Sequence, residues 1–252
     1  MNAKQVLEVA LSAGKMLLSN GAESYRVEET IERICNSYNL ECECMVTPKG
    51  VFVSILDGNE EKETSLKKIK VKRVDLYRIE LVNSFSRNIQ NNHISYEEAK
   101  KLLKDINMAP YFKFPVRLFA ASMTSFNYSL FFNGTLYDSI VSAVISAGIY
   151  FMLEKTSRVG FFQFLEFFLS GFIIGGVSVL SENLLPSVTK GNVITGAIMI
   201  LLPGVALTNG IKDILYDDFL SGMVKFGEAM LIIIAVGSGI GLGLSLRIGV
   251  RL

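Results

Sequence analysis

Four polar residues in the second half of this chain stand in or beside apolar runs: Asp138, Glu154, Asn209 and Asp213. Ionisable groups in such places are functional candidates, because an uncompensated charge in hydrocarbon is expensive and is kept for a use. Pro203-Gly204 interrupts the apolar run just before Asn209 and Asp213. That pair breaks a helix and frees backbone carbonyls and amides, which lipid cannot satisfy. They must be buried in protein or line a wet cavity. If helix resumes beyond the break, Asn209 and Asp213 are four residues apart and share a face. Freed half-helix ends of this kind hold charged solutes in many transporters. The alternative is a span that ends at Pro203 and an ordinary polar loop after it.

The densest polar stretch near the start is Asn20-Gly21-Ala22-Glu23-Ser24-Tyr25-Arg26-Val27-Glu28-Glu29-Thr30. It reads either as a helix N-terminus whose acids match the macrodipole, or as a docking patch built from Glu23, Arg26 and Glu28. Spacing does not separate the two. Other chemistries find no support. With His93 the lone histidine, no Ser-His-Asp or Cys-His set is read here as a nucleophilic triad. Cys42-Glu43-Cys44 lacks a second ligand pair, and three cysteines do not suggest a disulfide framework. Reduced thiols on a strand are the simpler reading. The run from Gly237 to Gly243 lacks the lysine and preceding strand of a phosphate loop, so it reads as close helix packing. No ATP-binding motif, cofactor or metal is called for.

The elements that must position these residues follow from charge. Residues 1–113 hold 17 of the 25 Lys+Arg and 16 of the 24 Asp+Glu, and residues 114–252 hold only 8 of each. A chain that withdraws charge from so long a stretch meets two solvents. We therefore expect a small cytoplasmic α+β domain over 1–113, followed by an α-helical polytopic membrane domain over 114–252. Net charge of +1 leaves no footprint for nucleic acid.

In the front part, the spacing predicts helices over 5–18 and 22–38, with a stripe at Val6, Ala10, Ala13 and Leu17 in the first. Glu29 and Arg33 can pair along the second. Strands over 42–46 and 51–56 flank Thr47-Pro48-Lys49-Gly50, and 67–74 alternates as a third. Helical spacing returns over 75–90 and 96–106, with Ser95 as N-cap.

In the oily part five segments stand out: 117–132, 139–153, 164–180, 193–207 and 229–246. Several are shorter than the roughly 20 residues of a straight span. The first is hydroxyl-rich, and Gly171 and Gly175 in the third have the spacing of close helix packing. Lys113, Arg117, Lys155, Arg158, Lys212 and Lys225 fall on one side, against Lys190, Arg247 and Arg251 on the other. This puts the N-terminus in the cytoplasm. The first twenty residues carry Lys4, Glu8 and Lys15 and so lack the apolar core of a signal peptide.

With both polar motifs in view, the chain resembles the threonine/serine exporter family. The likeness rests on Gly21-Ala22-Glu23-Ser24-Tyr25-Arg26-Val27-Glu28-Glu29-Thr30 and on Leu202-Pro203-Gly204-Val205-Ala206-Leu207-Thr208-Asn209-Gly210-Ile211-Lys212-Asp213. It implies a cytoplasmic domain followed by ten spans, split in some bacteria between two proteins. This chain looks like the larger half, with five spans, in the plasma (inner) membrane. The resemblance then implies a smaller membrane subunit, a homo- or hetero-oligomer, and a small polar cargo such as threonine, serine or a dicarboxylate like succinate. A membrane-anchored enzyme and a regulatory subunit are the competing readings. The polar first segment and broken fourth segment argue against a mere anchor.

Overall fold

The computed structural model describes residues 1–56, 62–69, 74–156 and 162–246. Among these residues there are ten helices and one three-stranded sheet. The contacts divide the chain into two units: Met1–Pro110 with Gly204–Gly227, and Tyr111–Pro203 with Glu228–Leu252. Sequence reading placed all of 114–252 in the membrane domain. By contacts, Gly204–Gly227 groups with the charged front part, to which its polar side chains are bonded.

In the first unit, α1 (Ala3–Ser19) is the central element. Asn2 and Gln5 close its start as a capping box. Its buried positions are not the single stripe expected: Val6, Leu7, Val9, Ala10, Leu11, Ala13, Leu17 and Leu18 are all out of water. A helix apolar on more than one side must be covered on more than one side. Helices α2 (Ser24–Asn36), α3 (Leu76–Asn91) and α4 (Tyr96–Asn107) and the sheet all pack on it. Gly14 lets α2 come close, since a Cβ there would stand 2.6 Å from Cδ1 of Ile31. The expected Glu29–Arg33 pair forms at 4.0 Å, and Ser95 caps α4 as predicted.

Strands β1 (Cys42–Thr47), β2 (Gly50–Leu56) and β3 (Lys62–Lys68) form an antiparallel sheet in that order. Val46, Val51, Val53 and Ile55 face the core. The third strand starts earlier than 67 because the ladder is set by β2. Gly50, the first residue of β2, already pairs with Lys68, so no partner remains beyond it. Residues 70–73 of the predicted strand lie outside the described residues. Buried Arg78 binds the Asp75 carboxylate and the carbonyls of Asn107 and Ala109, tying the start of α3 to the end of α4.

The second unit contains α5 (Phe114–Phe131), α6 (Leu136–Thr156), α7 (Gln163–Leu184), α8 (Lys190–Ile198) and Glu228–Ser245 of α10 (Phe219–Ser245). Three described helices, α6, α7 and α10, are long and apolar enough to cross a membrane. Five such segments were expected. The first falls short because Arg117, Asn127 and five hydroxyl residues dilute the 18 residues of α5. The fourth is broken at Pro203 into nine-residue α8 and twelve-residue α9 (Gly204–Leu215), and each is well below the roughly 20 residues of a span.

Helices α7 and α10 meet backbone to backbone through two glycine pairs. A Cβ at Gly175 would stand 2.6 Å from the Ile240 carbonyl, and one at Gly243 would stand 2.5 Å from the Phe172 carbonyl. Gly171 and Gly239 are equally closed, by the Val236 and Phe168 carbonyls, whereas Gly241 meets nothing. In lipid, where burial does not drive helices together, such approach is what van der Waals packing requires. We expect Gly239→Ala to lower the apparent melting temperature in detergent by several degrees, and Gly241→Ala to leave it unchanged.

Candidate functional site

The two polar motifs singled out in the sequence come together in the first unit. The first lies on the connection from α1 to α2. Gly21 adopts φ +89°, the left-handed turn that ends α1. Glu23 then serves as N-cap of α2, but its side chain makes no capping bond. The N-terminus of α2 is closed from elsewhere. The Ser24 N–H donates to Oδ1 of Asp213 at 3.0 Å, and the Ser24 hydroxyl donates to Oδ2 at 3.2 Å. A carboxylate at a helix start satisfies an orphan amide and faces the positive end of the dipole.

Helix resumes at Gly204, directly after Pro203, and α9 carries its polar residues on one face. Asn209 donates from Nδ2 to the Gly21 carbonyl at 2.8 Å. Lys212 donates from Nζ to Oε1 of Glu23 at 2.9 Å. Asp213 takes Ser24. Positions i, i+3 and i+4 of one helix thus grip three of four consecutive residues of the α1–α2 turn. Asp213 is fully buried, and its charge is met by Lys225 at the start of α10, with Nζ 2.6 Å from Oδ2. Lys225 also donates to the Ser24 hydroxyl at 3.3 Å. A stacked pair, Tyr25 on Tyr216 with centroids 4.0 Å apart, lies beside these contacts.

Burial acts to raise the Glu23 carboxyl, yet the hydrogen bond and charge of Lys212, with Arg26 3.7 Å away, hold it below the usual carboxylate range. Lys212 is raised in turn, chiefly by its bond to Glu23. Glu28 has a different task. Its Oε1 accepts the Val46 N–H at 3.1 Å, joining α2 to β1, and burial raises its carboxyl. Of the first motif, therefore, Gly21 and Glu23 meet α9 directly, Arg26 meets Glu23, and Glu28 meets the sheet.

Asp138 and Glu154 belong to the second unit. They are sixteen residues apart on α6, about 24 Å along its axis. Buried Asp138 accepts from the backbone of Thr135 at 2.8 Å, from that of Thr189 at 2.7 Å and from Asn192 Nδ2 at 3.0 Å. It thereby fixes the start of α8 to the start of α6. Beside it a seam of hydroxyls joins α5, α6 and α8. Ser125 bonds Ser146, Ser142 donates to the Ser125 carbonyl, and Ser129 donates to the Asn192 carbonyl. Glu154 forms a two-pronged pair with Arg117 at 3.0 and 3.2 Å, and Tyr150 joins at 3.1 Å. Pro203 is the last residue of its stretch in the second unit, and Gly204 opens α9 in the first.

Sequence reasoning did not find Ser24, Lys212 or Lys225 as members of the site. The two lysines were counted only as orienting charges. The signal for Lys212 was its place between Asn209 and Asp213. Lys225 carried a weaker one, as the lone cation of Phe219–Gly227.

The fold and site give a mostly helical chain with three described helices of membrane length and a buried charge pair beside a broken helix. A profile of the family ThrE, described as "Putative threonine/serine exporter", matches residues 8–247. The chain belongs to this family. Neither curated proteins nor solved structures gave a match.

Two outcomes follow from the geometry. Removing one partner of a buried ion pair costs about 3–5 kcal/mol, because the other charge is left unmet. Asp213→Asn and Lys225→Met should each lower the melting temperature markedly, and the double variant should recover part of the loss. Glu23 behaves as a depressed carboxyl, so its contribution is present at neutral pH and lost as pH falls through its folded value. Glu23→Gln should flatten the acid limb of the stability profile below about pH 4.3, as read by thermal unfolding at a series of pH values.

Proposed function

We propose that this chain is a subunit of a secondary exporter that carries a small polar metabolite, of the threonine or serine kind, out of the cytoplasm. The observation that supports it is the convergence of both polar motifs on the helix that restarts after Pro203-Gly204. Asn209, Lys212 and Asp213 join that helix to the α1–α2 turn through a set of hydrogen bonds and ion pairs that is buried at Asp213. A change at the break is thereby passed to the charged front part as a change in discrete bonds. An anchor for an enzyme needs no such link.

On this reading Asp213, Asn209, Pro203 and Gly204 couple cargo movement to the front part. Asp138 and Glu154 hold the helices that border the path. The N-terminus lies in the cytoplasm, and the protein sits in the inner membrane. A smaller membrane protein supplies the remaining spans, and the energy comes from a proton or ion gradient. A dicarboxylate such as succinate is the second cargo class to be tested.

Export of labelled threonine, serine and succinate from vesicles containing this chain, with and without its partner, tests the proposal. Asp213→Ala and Pro203→Leu should abolish export at normal protein levels. Export that survives both changes removes these residues from the mechanism. Export of none of the three by the wild type, with the partner present, removes the cargo assignment.

A further inference from the structure

The sheet of the first unit has one face on the core and one face that no described element covers. On the open face the register lines up Met45, Phe52 and Leu66 as direct cross-strand neighbours. They are 58, 41 and 52% exposed. On the solvent face of an antiparallel sheet these positions normally take polar residues. Here one row of three large apolar side chains runs across all three strands, one beside the other at cross-strand spacing. The two flanking rows are polar and differ from each other. One is Glu43, Ser54 and Thr64, with the Ser54 and Thr64 hydroxyls 3.0 Å apart. The other is Thr47, Gly50 and Lys68, with Lys49 exposed in the turn beside it. Gly50 leaves the middle of that row without a side chain, and Leu66 Cδ1 lies 3.4 Å from where a Cβ would stand, so the apolar row borders the lysine row directly.

We infer that this face lies on the membrane surface, with Met45, Phe52 and Leu66 in the headgroup boundary and Lys49 and Lys68 on anionic lipid phosphates. Three apolar side chains backed by cations are the elements of interfacial binding, in which apolar burial and attraction to anionic lipid add. Among the described residues of the three rows the acid, Glu43, is in the far row, so the row with Lys68 is the positive edge. The bilayer is also the one large apolar surface always within reach. The same chain carries three helices long enough to cross it, and a tether makes even weak surface contact effective.

The chain contains no tryptophan, which makes the test direct. Phe52→Trp in the full-length protein introduces a single reporter on the face, and Lys101→Trp places one on an exposed position of α4. Each is reconstituted in vesicles of phosphatidylglycerol with brominated acyl chains, which quench a tryptophan only at contact. The Phe52→Trp signal should emit to the blue and lose at least half its intensity. Lys101→Trp should be unaffected. Adding Lys49→Glu and Lys68→Glu, or replacing phosphatidylglycerol by brominated phosphatidylcholine, should restore most of the signal. Water-exposed emission from Phe52→Trp without quenching overturns the inference. So does a blue shift that ignores bromine and grows with protein density, since that outcome assigns the face to a second copy.

Discussion

Asp213 is a carboxylate with no access to water, and the first unit is organised around meeting its charge. Two donors come from Ser24 and a cation from Lys225, so the first helical turn of α2, the body of α9 and the start of α10 must all be in place together. Each partner is fixed in turn by what it does for the others. The Ser24 amide would be an orphan at an uncapped helix start, and Lys225 would be a buried cation without a counter-ion. A buried pair of this kind is weak evidence of stability and better evidence of specificity, since few other arrangements satisfy all of its groups. That is why Gly204–Gly227, which composition assigns to the oily part, groups with the charged front.

The second unit meets the same demand without a cation. Asp138 is buried and answered by backbone and amide donors at the start of α8. The seam of serines beside it keeps each hydroxyl bonded while leaving the helices close. Gly196 completes that seam, because a Cβ there would stand 2.7 Å from the Ser125 carbonyl. The glycines of α7 and α10 extend the principle to backbone. Where apolar burial gives no advantage over lipid, helices are held by small residues and by polar groups that have no water to turn to. Arg117 and Glu154 then stand as a partly exposed pair on α5 and α6, away from Asp138.

Much of the fold was legible because it is written in local signals. Ser95, Asn20-Gly21 and the Thr47–Gly50 turn stand where helices and strands begin and end. The two polar motifs were visible because polar residues inside or beside apolar runs are expensive. What joined them was not visible. Asp213 and Ser24 are 189 residues apart, and no spacing rule reaches that far. The pairing of Lys225 with Asp213, twelve residues on, crosses a turn in which Asp217 takes φ +68°, so helical periodicity could not suggest it. The number of spans was less legible for a related reason. Apolar run length does not reveal that Pro203 divides one segment between two units, nor that Arg117 and Asn127 leave α5 short of the hydropathy of α6, α7 and α10.

The closure of α2 by a residue 189 positions downstream has a consequence for biosynthesis. The ribosome delivers the turn at Gly21–Ser24 early and Asp213 only after the whole of 111–203 has been made. Until then the Ser24 amide and the Glu23 carboxyl lack the partners that Asp213 and Lys212 supply. Completion of this unit is thus tied to the delivery of the membrane segment between its two pieces. A chain that stalls or misinserts within 111–203 leaves the front part visibly unfinished.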